Sequence, residues 1–293
     1  MVQHGPLAKI KMASSSELSI GRTDPSNVAG CPTLPEDPDY NGAGYLYYNT
    51  TDRELRVNTG LKWKGLKEKS TFSTLGLVAN VDWNLNQNGT ETINGYGTSG
   101  LGGGGSLQSA TNNAATFSYQ EFPTNQAFVI DGNTVGSDFV SVDIMYKASG
   151  QPGDYAIIFN KENCWELSRR NNTATTSDLW WALWADNQGW FWDDANCTIN
   201  VGEWYHLVLT YDGNYVKFYK NGQQTDSYTY PQGGKLANQT SCWPKLASRN
   251  CDQTTANSYP CPGGYAYFRI YSIALTPTMI QQNYNYAKSK YGI

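Results

Sequence analysis

Charged side chains are scarce in this 293-residue sequence: 21 Lys and Arg and 25 Asp and Glu make up 16 % of the chain and leave a net charge of −4. That balance offers no basic patch to a phosphate backbone. No cluster of Lys or Arg interleaves with the aromatic residues as a groove reader requires, so nucleic acid is not expected as a partner. Histidine is scarcer still, with only His4 and His206. The 6 cysteines, Cys31, Cys164, Cys197, Cys242, Cys251 and Cys261, match neither a CxxC pair nor the Cys/His spacing of a zinc site. Long hydrophobic runs are also missing. The opening MVQHGPLAKIKMASSSELSI has no apolar core of a secretory signal, and no stretch is long enough to span a membrane as a helix, so membrane insertion is not expected.

What the chain has instead is Gly, Asn, Thr, Ser and Tyr, the composition of many short strands joined by tight turns. Residues 1–43 carry Pro25, Pro32, Pro35 and Pro38 among polar spacers, and read as an extended arm that needs something to lie against. Residues 44–68 read as a small β-meander with strands at Tyr45 to Tyr48, Leu55 to Val57 and Leu61 to Leu66, its mini-core formed by Tyr47, Leu55, Val57 and Trp63. A linker at 69–76 leads to residues 77–293, a run of strand-like segments spaced as in an antiparallel two-sheet β-sandwich. Within DFVSVDIMYKA, Val140, Val142, Ile144 and Tyr146 form the better core face, opposite Phe139, Ser141, Asp143 and Met145. GLGGGGS at 100–106 reads as a flexible turn. Only TPTMIQQNYNYAKSKYG reads as a helix, with Thr276 as N-cap, Pro277 in the first turn, and Ile280, Tyr284 and Ala287 on one stripe. The fold class is therefore all-β.

Two resemblances add to this reading. The segment from Tyr45 to Thr51, with Leu55 to Val57 and Gly60 to Trp63, resembles a short module of bacteriophage tail and fibre proteins and of large-virus structural proteins. GEWYHLVLTYDGNYVKFYKNGQQ, YFRIYSIALTPTMIQQNYNYAKSKYG and FNKENCWEL, with Lys161, Glu162, Trp165, Glu166 and Leu167 at the matching positions, resemble the concanavalin A-like, laminin G-type domain over about residues 77–293. The second resemblance implies a jelly-roll sandwich and leaves the ligand open. Its superfamily includes endo-glucanases, which carry an E-x-D-x-x-E strand. The nearest strand here, SVDIMY, keeps Asp143 but has Ser141 and Tyr146 where the other two carboxylates would stand, so no catalysis is expected.

The chemistry with most to say is LWWALWADNQGWFWDD, residues 179–194, with five tryptophans and three aspartates. It reads as a hairpin: Leu179 to Ala185, a turn at 186–189, and Trp190 to Trp192. Alternation puts Trp181 with Leu183 and Ala185 toward the core, and Trp180 and Trp184 on the other face. Indole faces stack on sugar C–H groups while Asp and Asn serve the hydroxyls, making Trp180, Trp184, Asp186, Asn187, Trp190 and Trp192 the candidate carbohydrate ligands. The other reading, in which all five tryptophans pack between the sheets or under the cysteine-rich loop, stays open. Asp193 and Asp194 are the candidates for Ca2+, although neighbours on a strand point to opposite faces. Disulfides are drawn from Cys164, Cys197, Cys242, Cys251 and Cys261: a staple in the loop at 242–261, and Cys164 with Cys197 if their strands are neighbours.

These readings combine into a virion structural or adhesion protein, a minor capsid, tail or fibre component. Residues 1–66 would contact other virion structural proteins in an oligomeric assembly, and the lectin-like domain would be displayed at the virion surface to bind host glycans. The alternatives are a free-standing secreted or cell-surface lectin or adhesin, and a diverged glycan hydrolase.

Overall fold

The computed structural model describes residues 72–83, 106–122, 138–185, 189–230, 233–237, 242–249, 251 and 258–293, with the backbone of six further short strands. The chain forms two compact units, Met1–Lys69 and Ser70–Ile293. In the first, β1 (Thr33–Leu34), β2 (Leu46–Asn49), β3 (Glu54–Asn58) and β4 (Trp63–Leu66) make one sheet in that order. β2, β3 and β4 pair antiparallel, with Leu46 opposite Val57 and Leu55 opposite Leu66. β1 runs parallel to β2, with Thr33 opposite Tyr48, so part of the proline-rich segment is a strand. The remainder of residues 1–43, including Cys31, and the side chains of Tyr47, Leu55, Val57 and Trp63 lie outside the described residues.

The second unit holds β5 (Leu77–Asp82), β6 (Gly100–Gly102), β7 (Ser106–Asn112), β8 (Ala115–Phe122), β9 (Phe128–Ile130), β10 (Val140–Ala148), β11 (Ala156–Lys161) and β12 (Trp165–Arg170). It continues through β13 (Thr176–Trp184), β14 (Trp190–Asn200), β15 (Trp204–Tyr211), β16 (Tyr215–Lys220), β17 (Gln223–Thr229), β18 (Lys245–Leu246), β19 (Gly263–Tyr271) and α1 (Pro277–Tyr291). One sheet runs β17-β16-β15-β10-β19-β8-β7, with β5 also on β19, and the other runs β14-β13-β12-β11-β18-β9-β6. The pairing is antiparallel, as in a two-sheet sandwich. Val140, Val142, Ile144 and Tyr146 of β10 join Ile158, Leu167, Trp181 and Leu183 of the facing sheet in one core. Each such buried side chain contributes roughly 1.5–3 kcal/mol.

The opposite face of β10 is not open. α1 lies over it, capped by Thr276, whose Oγ1 accepts from Met279 N at 3.3 Å, and closed by Gly292 at φ 68. Its buried stripe is Ile280, Asn283, Ala287 and Tyr291. Asn283 stands where the sequence suggested Tyr284, because its amide meets a buried polar cluster on β10 and β19: Asn283 Nδ2 donates to Asp143 Oδ2 at 2.6 Å and to the Tyr271 hydroxyl at 3.1 Å. A buried amide with two acceptors is tolerated where an unpaired one would not be.

Two further corrections and one unread turn concern local structure. Gly100–Gly102 is strand β6, with Leu101 opposite Val129, rather than a turn; glycine is admissible at this position because β6 is a sheet edge. The hairpin β7–β8 turns on Asn113 and Ala114, both at positive φ (43 and 68), and alanine at such a position conceals the turn from a sequence reading. α1 holds that turn: Asn113 Nδ2 donates to Gly292 O at 2.7 Å, and a Cβ at Gly292 would strike the Asn112 carbonyl. The strand after the DNQG turn is eleven residues long, through Asn200, rather than three.

Among the cysteines, Cys242 and Cys251 are bridged, while Cys164, Cys197 and Cys261 are buried thiols. Cys164 and Cys197 do not pair because β13 separates their strands. Cys164 precedes Trp165, which faces Leu183, whereas Cys197 faces Leu179. Two strand spacings of about 4.8 Å plus four residues of offset exceed the ~7 Å Cα reach of a disulfide. Cys164 Sγ instead donates to Ala237 O at 2.7 Å.

Candidate functional site

The outer face of the β14–β11 sheet carries the site. Strand alternation sends Trp181 into the core, fully buried, where its Nε1 donates to Asp226 Oδ2 at 3.1 Å. Trp180 and Trp184 point the other way, half-buried. Across the ladder Trp184 faces Trp190 and Ala182 faces Trp192. The rings of Trp184 and Trp190 are 5.9 Å apart and those of Trp190 and Trp192 are 5.5 Å apart, the spacing of edge and tilted aromatic pairs. Ala182, between Trp180 and Trp184, is fully buried, and these four predicted tryptophans, each half-buried, cluster on one face. Asp186 and Asn187, the other two predicted ligands, lie outside the described residues.

The same face continues onto β12 and β11 through the cross-strand pairs Ala182–Glu166 and Glu166–Asn160. Glu166 is fully buried; its Oε2 accepts from Asn160 Nδ2 at 3.0 Å and lies 3.4 Å from Arg249 Nε. Arg249 grips Glu162 with both arms, Nε to Oε2 at 2.9 Å and Nη2 to Oε1 at 3.2 Å, and its guanidinium lies 5.2 Å from the Trp190 ring centre and 5.4 Å from that of Trp192. Arg170 lies over Tyr155 at 4.0 Å, Trp180 at 4.8 Å and Trp192 at 5.1 Å. Glu166 Oε1, Asn160 Oδ1, Trp180 Nε1 and Arg170 Nε are shielded from solvent and have no hydrogen-bond partner among the described residues. Unpaired buried polar atoms each cost about 1–3 kcal/mol.

Burial pushes the Glu166 carboxyl up to about 8; Arg249 opposes the rise and Glu162 adds to it. With the folded-state value above the ordinary 4.5, the protonated form is the stabilising one. That contribution is complete below pH about 4.5, declines as pH rises toward about 8, and is flat beyond. Glu166→Gln removes the slope. Urea unfolding from pH 5 to 9 is expected to show wild type losing stability relative to the variant at up to ~1.4 kcal/mol per pH unit across that window, and parallel profiles would refute it.

Asp193 and Asp194, the candidates for Ca2+, are tied to the local backbone. Asp193 Oδ1 accepts from Asp194 N at 2.9 Å and Asp194 Oδ1 accepts from Asn196 N at 2.7 Å, so both carboxylates serve the bulge at Asn196, which sits at φ 48. Among the described residues no group of three or more His, Cys, Asp or Glu is placed to hold a metal ion. The second polar cluster, Asp143 with His206, Tyr267, Arg269 and Asn283, is fully buried beneath α1 and opens onto no cleft.

Sequence reasoning missed Arg170, Arg249, Tyr155 and Tyr259, and took Glu162 and Glu166 only as marks of resemblance. Arg249 follows the tryptophan hairpin by more than fifty positions and is brought to it by β18 pairing with β11 and by the Cys242–Cys251 bridge that encloses it. Two exposed aromatics with bulky side chains at positive φ, Tyr155 (φ 66) and Tyr259 (φ 57), were not detectable without coordinates.

Comparison with known proteins gives the following. The family profile Laminin_G_3, Concanavalin A-like lectin/glucanases superfamily, matches residues 122–281. No curated protein matches the chain. Among solved structures, domain 4 of AbnA, a GH43 extracellular arabinanase from Geobacillus stearothermophilus in complex with arabinotriose, is similar at 22 % identity and TM-score 0.50, over 70 % of this chain and 96 % of that one. The botulinum neurotoxin serotype G binding domain (12 % identity, TM-score 0.53) shares 73 % of this chain, and the binding domain of Paraclostridial Mosquitocidal Protein 1 (13 %, 0.53) shares 72 %. This chain spans about half the length of those two toxin domains, 51 % and 52 %. At these identities the likeness establishes the fold.

Proposed function

We propose that this chain, which belongs to the Concanavalin A-like lectin/glucanases superfamily, is a non-catalytic glycan-binding protein whose ligand lies on the outer face of the β14–β11 sheet. The observation that carries the reading is the cluster of half-buried Trp180, Trp184, Trp190 and Trp192 on one face, with Arg170 and Arg249 stacked against it. Indole faces desolvate the C–H side of a sugar, leaving its hydroxyls to polar side chains around them. A similar fold in an arabinanase domain solved with arabinotriose is consistent with this use. Binding rather than hydrolysis is the better fit to Glu162 and Glu166, because both Glu162 oxygens are held by Arg249 and Glu166 is inaccessible.

A glycan array probed with the purified chain tests the reading: binding to a defined glycan class, without release of new reducing ends on prolonged incubation, is expected. Cleavage would install the hydrolase in its place, and absence of binding would remove the reading. The finer assignment is an attachment component displayed at the virion surface, with the Met1–Lys69 unit as the docking module, supported by the resemblance of its meander to those of phage tail and fibre proteins. Gold-labelled antibody decorating particles is the expected result; chain found only in particle-free medium would favour a free-standing lectin.

A further inference from the structure

Two N–H donors at the tryptophan cluster, Arg170 Nε and Trp180 Nε1, and two oxygens, Asn160 Oδ1 and Glu166 Oε1, have no hydrogen-bond partner among the described residues. Arg170 is the charged member of that set. Its guanidinium is stacked on Tyr155, Trp180 and Trp192, a setting that strips water from the cation. Its cross-strand neighbour Asp178 is engaged elsewhere, accepting from Asn171 Nδ2 at 3.0 Å and from Thr198 Oγ1 at 2.7 Å. Burial disfavours the Arg170 cation, and Tyr155, through its hydroxyl, offsets this more than Glu166 or Asp154 does; no described carboxylate is within ion-pair distance of Arg170. Arg249, the other arginine on this face, is by contrast fully matched by Glu162.

The rim repeats the pairing of a cation with an aromatic. Tyr155, beside Arg170, is 49 % exposed, and Tyr259, one residue after the Ser258 that bridges Arg249, is 51 % exposed. Both stand in the left-handed backbone region, at φ 66 and φ 57, which bulky residues seldom occupy. Such strain costs of order 1–3 kcal/mol per residue and persists where the surroundings hold it for a purpose. Here it holds a tyrosine ring against the Arg170 guanidinium on the solvent side.

Building on the glycan-binding reading, we infer that the ligand is an acidic glycan, a sugar chain bearing carboxylates, with one carboxylate held by Arg170 while the ring carrying it rests on Trp180 and Trp192. The neighbouring carboxyl does not oppose this: Glu166, held largely protonated near neutral pH by its burial, is itself a donor and carries little negative charge. A neutral sugar would leave the stacked guanidinium without an ion-pair partner.

The test compares each acidic probe with its own methyl ester, which keeps the ring and removes the charge: tetragalacturonate, a hyaluronan tetrasaccharide and sialyllactose, titrated calorimetrically into the full chain. At least one acid form is expected to bind about tenfold or more tighter than its ester, the range of a charge-assisted, bidentate contact. Arg170→Gln is expected to erase that preference, bringing the acid-to-ester affinity ratio to about one. Arg170→Lys, which keeps the charge without the planar fork, should restore only part of it. Thermal melts confirm that both variants are folded. Equal binding of acids and esters, with array binding retained, overturns the acidic-ligand inference and leaves the glycan-binding reading standing. A preference that survives Arg170→Gln also overturns it. Failure to bind any glycan, acidic or neutral, overturns both.

Discussion

Trp181→Ala is expected to lower the unfolding free energy by about 3–5 kcal/mol, the usual loss for a large aromatic removed from a packed core. Trp192→Ala, on the adjacent strand, is expected to cost about 1 kcal/mol, the worth of an aromatic pair. The difference follows from one step of strand alternation. Trp181 is fully buried, packs its ring against Phe191 and Tyr228 at 5.8 and 5.7 Å, and satisfies its N–H on Asp226. Its loss leaves a cavity and an unpaired acceptor. Trp192 is half-buried on the outer face, where its ring meets Trp190 and the two arginines. Ligand binding should show the reverse order: Trp192→Ala weakens it roughly thirty-fold, equivalent to ~2 kcal/mol for a central aromatic anchor. Denaturant unfolding and calorimetric titration of the two variants decide the matter. Binding that survives Trp192→Ala would show that the ligand sits elsewhere.

That alternation was legible in the sequence because strand periodicity is two and the neighbours of Trp181 are apolar while those of Trp180 are not. The core face of β10 was legible for the same reason, as was the N-cap of α1, since Thr-Pro at a helix start has a single local meaning. Other features depend on partners distant in the chain. Asn283 in the buried stripe of α1 is unreadable until Asp143 and Tyr271 are seen beneath it. The Asn113–Ala114 turn violates local preference and is held by Gly292, 179 positions away from Asn113. At the site, the aromatic half could be read from one hairpin. The charged half could not, because Arg170, Arg249, Tyr155 and Tyr259 reach it from three other segments, and Glu166 looks in sequence like an ordinary strand residue.

Asp143→Ala is expected to destabilise the protein by about 3–5 kcal/mol, because it strips a buried cation of its nearest counter-charge. Arg269 is fully buried, flat against Phe72 at 3.6 Å and Tyr267 at 3.8 Å, with Asp143 at 3.8 Å and Asp82 at 3.9 Å. Asp143 also accepts from the Tyr267 hydroxyl at 2.8 Å and from Asn283 of α1 at 2.6 Å, and lies 3.1 Å from His206 Nε2. Burial would raise its carboxyl, but His206, Arg269 and the Tyr267 hydroxyl outweigh burial and hold it below the ordinary value of 3.8. A carboxyl lowered in this way contributes stability above its unfolded value and loses it as pH falls through the folded one, so the gap between wild type and variant should close under acid. Asn283→Ala, which removes the helix's hold on the same carboxylate and leaves the charges in place, is expected to cost a smaller ~1–3 kcal/mol and to speed amide exchange in α1 before the strands. Glycan binding by the folded fraction of either variant should be unchanged, because the cluster lies on the opposite sheet from the tryptophans. An Asp143 variant of wild-type stability that had lost activity toward a glycan would reverse the assignment. It would return this aspartate, the one acidic position that β10 shares with the glucanase strand pattern, to a catalytic role that its closure beneath α1 argues against.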